Sequence, residues 1–251
     1  MVTSPHTNNE AEPRPVKGQS NDPGRLSQWA ARLGLLLCAV FLAIHAMGLS
    51  HSVAPVHGSL NMLMRPSGTE LRQDWVPIER ISPDLVQAVI AAEDSRFCAH
   101  NGIDVDALEE AIEENRDGGR RRGGSTLTQQ TAKNVFLWNG GGYARKAVEA
   151  WLALYIDTIW SKRRIMEVYL NIAEWGDGIY GAEAAAQARF GKPASDLTRQ
   201  EAALLAAVLP SPNKWRVDPP GPYVRRRAGT LRQRAAVVAN EGLDDCVLRD
   251  D

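Results

Sequence analysis

The chain has 251 residues, 44% of them hydrophobic, and a formal net charge of −1. That suits one globular domain with appendages, and the near-zero charge leaves no electrostatic footprint for nucleic acid. Cys38, Cys98 and Cys246 are too few and too scattered for a disulfide framework or a metal site. A Cys98–Cys246 bridge is open only in an oxidising compartment and is not the expected state.

Residues 1–24 carry almost no bulky apolar side chains and cannot bury enough surface to offset their ordering entropy, so they read as a disordered tail. Residues 25–50 contain the run Leu33–Leu49, whose only strongly polar member is His45, long enough with Trp29 to cross a bilayer. Arg14, Lys17, Arg25 and Arg32 precede it, and no Arg or Lys follows until Arg65. The positive-inside rule puts the tail in the cytoplasm and the rest outside it. A cleavable signal peptide ending near Ser52-Val53-Ala54 is the rival, but the stretch is long for one. Residues 51–75 read as a Pro- and Gly-containing connector, 76–241 as the main folded domain and 242–251 as a C-terminal tail.

Ser82-Pro83-Asp84 is a helix start, with a capping hydroxyl, a proline in the first turn and an acid at the positive end. Leu85, Val86, Val89 and Ile90 then recur at helical spacing, and Glu93 and Asp94 arrive as that apolar face runs out. A carboxylate at such an edge loses hydration, which raises its pKa toward the range useful for proton transfer. Taken alone, a solvated acid at a helix end is the commoner reading of such a residue. A turn at Asn101-Gly102 leads to a short helix from Val105 to Asn115.

Arg116 to Gly124 holds four arginines and four glycines, a mobile cationic loop. Thr126 and Gln129 fit a capping box, so a helix starts there with free N–H groups and the positive end of its dipole. Ser125, Gln129 and Lys133 extend a polar strip along that helix, suited to a phosphate. An ordinary capped helix behind a solvated loop is the bland alternative. Val135 to Trp138 is an apolar cluster that fits either the core or a membrane interface.

From Tyr143 a long helix carries Trp151, Leu152, Leu154, Tyr155, Ile156 and Ile159 around most of its circumference, which predicts a central buried element. Glu149 on that helix should pair with Arg145 or Lys146, as a structural ion pair or as a functional acid. Helices follow over 162–173, 181–190, 199–209 (capped by Thr198 with Glu201) and 223–239, with no convincing strand period outside 53–80. The domain is mainly α.

These clusters together resemble the family 51 glycosyltransferases, the peptidoglycan glycosyltransferases that polymerise lipid II, and most of all their monofunctional biosynthetic members. Glu93-Asp94-Ser95-Arg96-Phe97 with His100-Asn101-Gly102-Ile103-Asp104 matches the first motif, and Gly124 to Gln130 with Lys133-Asn134 the second. Arg145-Lys146-Ala147-Val148-Glu149 matches the third, and Arg164 to Asn171 the fourth. The resemblance covers residues 75–240, and four ordered motifs make it specific. With so few residues after the last helix, a transpeptidase domain is not expected.

The resemblance implies a lysozyme-like helical domain with a smaller membrane-proximal subdomain behind a single N-terminal transmembrane helix. It implies an inner-membrane enzyme, its catalytic domain periplasmic, with lipid II, the growing lipid-linked glycan and cell-wall synthesis proteins as partners. Glu93 would be the general base and Glu149 the second catalytic acid. Ser125, Thr126, Gln129, Gln130, Lys133, Asn134, Arg145 and Lys146 would bind substrate. A divalent cation, Mg2+ or Mn2+, would sit near Glu149. A lytic enzyme of similar fold would also use a lone glutamate, but its substrate leaves no pyrophosphate to be met by the cationic strip; a catalytically silent scaffold is the non-enzymatic alternative.

Overall fold

A computed structural model describes residues 23–65, 70–116 and 124–249. The chain divides into two units, residues 1–43 and 44–251. The described part of the first belongs to helix α1 (Pro23–His51). Within α1, Ser27–His51 is long and apolar enough to cross a membrane. Leu35, Leu36, Leu37 and Phe41 are all exposed, as side chains meant for lipid would be. The cationic loop expected over 116–124 falls almost wholly outside the described residues.

The second unit carries the short helix α2 (Leu60–Leu63), then α3 (Pro83–Glu93), α4 (Val105–Arg116), α5 (Leu127–Phe136), α6 (Gly142–Ile159) and α7 (Lys162–Ile172). It continues with α8 (Ala182–Phe190), α9 (Arg199–Val208), α10 (Pro222–Asn240) and α11 (Asp245–Leu248). Strands β1 (Arg72–Gln73), β2 (Glu174–Gly176) and β3 (Ile179–Tyr180) form a small sheet in the order β1-β3-β2. In it β1 runs parallel and β2 antiparallel to β3. The domain is mainly α, as the helical periodicities require, and fits a lysozyme-like helical architecture.

Two helix clusters set up the site. In one, α3 packs against α9 and α10; in the other, α5 packs against α6 and α7. Leu85, Val86, Val89 and Ile90 are fully buried, each contributing about 2 kcal/mol through burial. Both expected capping boxes form, Thr126 with Gln129 on α5 and Thr198 with Glu201 on α9.

Several expectations are corrected. Ser82 does not cap α3 through its side chain; its Oγ donates to Leu197 O (2.9 Å) and ties the start of α3 to the segment before α9. Helix α6 buries one face only, Glu149, Leu152, Ala153 and Ile156. Its other face leaves Val148, Trp151 and Leu154 exposed, and Trp138 and Tyr143 are exposed as well. Periodicity saw apolar residues all round and could not tell protein contact from an outward apolar face. The described parts of the 51–75 connector, 51–65 and 70–75, are folded onto the domain, with Val56 and Met62 buried. Residues 242–249, read as tail, are docked too: Val247 is wholly buried and Gln87 Nε2 donates to Asp244 Oδ2 (2.9 Å). Cys98 and Cys246 are disulfide-bonded across 148 residues, because the docked α11 meets the loop after α3.

Candidate active site

Glu93 is the last residue of α3, where a packed apolar helix ends at the negative end of its dipole. Burial pushes its carboxyl above the usual range. A hydrogen bond from Gln130 Nε2 to Oε2 (3.0 Å) and the positive charges of Arg227 and Lys133 pull the other way. This places Glu93 between three elements: Gln130 and Lys133 on α5, Arg227 on α10, and Tyr169 on α7, whose hydroxyl reaches Gln130 Oε1 at 3.5 Å.

The loop after Glu93 is held by its own polar residues. Asp94 Oδ2 accepts from the first amide of α5, Leu127 N (2.9 Å), and from His100 Nε2 (3.0 Å). Lys162 Nζ donates to His100 O (2.6 Å) and sits over the Phe97 ring. Gly102, at φ +77°, lies where a Cβ would meet Ala153 O at 3.1 Å, and its carbonyl accepts from Thr126 Oγ1 (2.6 Å). Asp104 accepts from Ala107 N and pairs with Arg96. Asp94, His100 and Asp104 lie close enough together to suggest a metal site. Their carboxylate oxygens are instead spent on helix N-termini, His100 and Arg96, so this is scaffold.

A cationic cluster lies along α5 and α6. Glu149 is 2% exposed, and its Oε2 accepts from Arg145 Nη1 (2.6 Å) while Oε1 pairs with Lys146. Lys146 Nζ also donates to Ser125 Oγ (2.6 Å). The Lys133 side chain makes no direct hydrogen bond or ion pair among the described residues. Burial lowers its pKa; Glu149 and Glu93 act in the opposite sense, while Arg145 and Lys146 reinforce the drop. One carboxylate therefore organises two cations without neutralising them, and a third stands between that cluster and Glu93. A half-buried ammonium held in no direct ion pair is costly unless an anionic ligand completes it.

Residues 60–241 match the sequence profile of the family described as Transglycosylase. The chain belongs to the transglycosylase family. It is 52% identical to a biosynthetic peptidoglycan transglycosylase of Rhodospirillum centenum over 86% of this chain and 95% of the relative. Proteins of the same description from Caulobacter vibrioides (48%, covering 86% of this chain and 94% of the relative) and Pseudomonas aeruginosa (48%, 78% and 86%) are similar over comparable lengths.

Within this transglycosylase-family domain the predicted site residues separate by role. Glu93, Gln130, Lys133, Arg145, Lys146, Glu149 and Ser125 form one electrostatically continuous group. Thr126 and Gln129 are consumed by the capping box, both buried, with Gln129 Oε1 accepting from Thr126 N (3.0 Å). Asn134 accepts from Asn61 Nδ2 (3.4 Å), linking α5 to α2. Sequence reasoning missed Tyr169 and Arg227. The first reads as one more apolar position of α7, the second as one of three consecutive arginines, and only the fold turns them toward Glu93. Arg227 Nε is buried without a hydrogen-bond partner among the described residues.

The surroundings of Glu149 do not fit a divalent cation. Both carboxylate oxygens are engaged by cationic side chains, and an ion there would have to displace Lys146 or Arg145. A cavity of about 400 Å³ lined by Arg72, Gln73, Asp74, Ala184 and Gln187 includes none of these residues.

Proposed function

We propose that the chain polymerises lipid II into β-1,4-linked glycan strands, with inversion at the donor anomeric carbon and release of undecaprenyl pyrophosphate. The observation that carries this reading is the placement of a desolvated carboxylate, Glu93, hydrogen-bonded by Gln130, within the field of Lys133, a lysine held in no direct ion pair that leads into the Arg145–Lys146 cluster. Glu93, ionised, takes the proton from the acceptor sugar's 4-hydroxyl as that oxygen attacks the donor anomeric carbon. The bond to the pyrophosphate breaks in the same step. Its developing charge is met by Lys133, Arg145 and Lys146, with the Ser125 hydroxyl beside them. Glu149 holds Arg145 and Lys146 in place, and no step is routed through a metal.

The substrates of this reading are lipid-linked, and two features support a membrane setting. The apolar helix Ser27–His51 supplies an anchor. Exposed Trp138, Trp151 and Leu154 give the α5–α6 region an apolar face suited to the bilayer interface. The Cys98–Cys246 bridge and the Arg bias before the anchor both favour a periplasmic catalytic domain. Other cell-wall synthesis proteins are proposed partners on the same side.

The test is turnover of labelled lipid II by the full-length protein in detergent micelles, with finished cell wall as the parallel substrate. Polymer from the first and no soluble fragments from the second are expected. Glu93→Gln should abolish polymer while lipid II still binds; wild-type turnover by that variant would end the proposal.

A further inference from the structure

Gln130 has an amide with two chemically opposite ends, and what fixes which end meets Glu93 decides how good a base Glu93 is. With Nε2 toward Glu93 the amide donates to an ionised carboxylate; reversed, it would set Oε1 against the carboxylate and favour the protonated acid. In the structure Nε2 faces Glu93 Oε2 at 3.0 Å and Oε1 faces the Tyr169 hydroxyl at 3.5 Å. Tyr169 is 1% exposed, and Gln130 is the hydrogen-bond partner of its hydroxyl among the described residues. A phenol can hold the amide this way only while it keeps its proton.

We propose that Tyr169 is a positioning residue for the base: its hydroxyl fixes the Gln130 amide with its NH2 toward Glu93. Burial, with the negative charge of Glu93 adding to it, holds the Tyr169 phenol well above its ordinary pKa, so it stays a donor throughout the range in which Glu93 becomes ionised. The other charged groups bearing on Glu93 are Lys133 from α5, Arg227 from α10 and neighbouring Asp94. None of these touches the Gln130 amide. Without the tyrosine hydroxyl the amide samples both orientations, and Glu93 loses part of the bond that favours its ionised form.

The inference rests on Glu93 being the base, and its test separates the two ideas. The acid limb of kcat/KM for lipid II polymerisation is measured in full-length wild type, Tyr169→Phe, Gln130→Met and the double variant. Tyr169→Phe is expected to move that limb upward by about half to one pH unit, the equivalent of one neutral hydrogen bond. Below the limb it should lower kcat by about three- to tenfold with KM nearly unchanged, the loss fading as pH rises. In the Gln130→Met background the same change should add no further shift. An unmoved acid limb in Tyr169→Phe, or an equal shift with and without Gln130, overturns the proposal. A Glu93→Gln variant that still polymerises would instead remove the reading beneath it.

Discussion

Breaking the Cys98–Cys246 bridge should lower stability strongly while leaving the chemistry nearly intact. The bridge closes a loop spanning 148 residues of sequence separation. Chain entropy alone would assign such a closure about 5 kcal/mol, and removal of native bridges typically costs about 2–5 kcal/mol. The segment it tethers has other attachments. Val247 is fully buried, Gln87 bonds Asp244, and Arg163 Nη1 donates to Val247 O at 2.5 Å, so α11 should stay docked once the bridge is opened. On the other side, the loop carrying Cys98 is held by Asp94, His100, Lys162 and Thr126 independently of the sulfurs. We therefore expect Cys98→Ser, Cys246→Ser and reduced wild type to melt about 5–15 °C lower than oxidised wild type. Turnover at 25 °C should stay within about twofold, since the change acts chiefly on the unfolded chain. Differential scanning fluorimetry of the full chain in micelles, paired with lipid II turnover, reads both. Thiol titration after denaturation should find one thiol, Cys38, before reduction and three after. Three thiols without reductant, an unchanged melting temperature, or loss of turnover with the fold intact would each refute this reasoning.

Lys133→Met should reduce kcat/KM by about 100-fold or more, as loss of a charge stabiliser at a developing anion does, and turnover within twofold of wild type would remove Lys133 from the site. The same variant should melt higher at neutral pH, because a lysine whose folded pKa is lowered destabilises the fold wherever it must carry charge. Glu93→Gln should likewise raise the melting temperature above the carboxyl's titration range. A carboxyl whose folded pKa is raised is costly once ionised, so the gain should vanish as pH falls below its unfolded value; a pH series of melts decides it. Glu149→Gln should destabilise by about 3–5 kcal/mol, the cost of stranding buried charge, and also impair turnover as Arg145 and Lys146 repel; chemical denaturation with parallel kinetics would expose a merely solvated acid by showing neither effect.

The helices were legible because each carries its own signal: capping boxes at Thr126 and Thr198 and an apolar stripe on α3. The sheet was not, since strands of two and three residues are too short to show a period of two. Glu93, Lys133, Arg145, Lys146 and Glu149 were readable as charge set against apolar context. Their division of labour was not, because Thr126, Gln129 and Gln130 are equally polar on paper. The capping box already assigned Thr126 and Gln129 to the helix start, but only the packing of α5 shows that this use takes them out of the substrate-binding set while Gln130 reaches Glu93. The cysteine pairing escaped for a related reason: Cys98 and Cys246 become neighbours only once α11 folds back beneath the loop after α3.

Asn171 illustrates how a structural residue can imitate a chemical one. Its side chain is wholly buried: Oδ1 accepts from Val76 N (2.9 Å), and Nδ2 donates to Val76 O (2.9 Å) and Glu167 O (2.8 Å). Asp could not donate, Leu could do neither, and Gln would overreach by a methylene. A saturation library at this position would therefore tolerate almost nothing and score like a nucleophile or a base, although the side chain does no more than splice an extended strap of backbone onto α7.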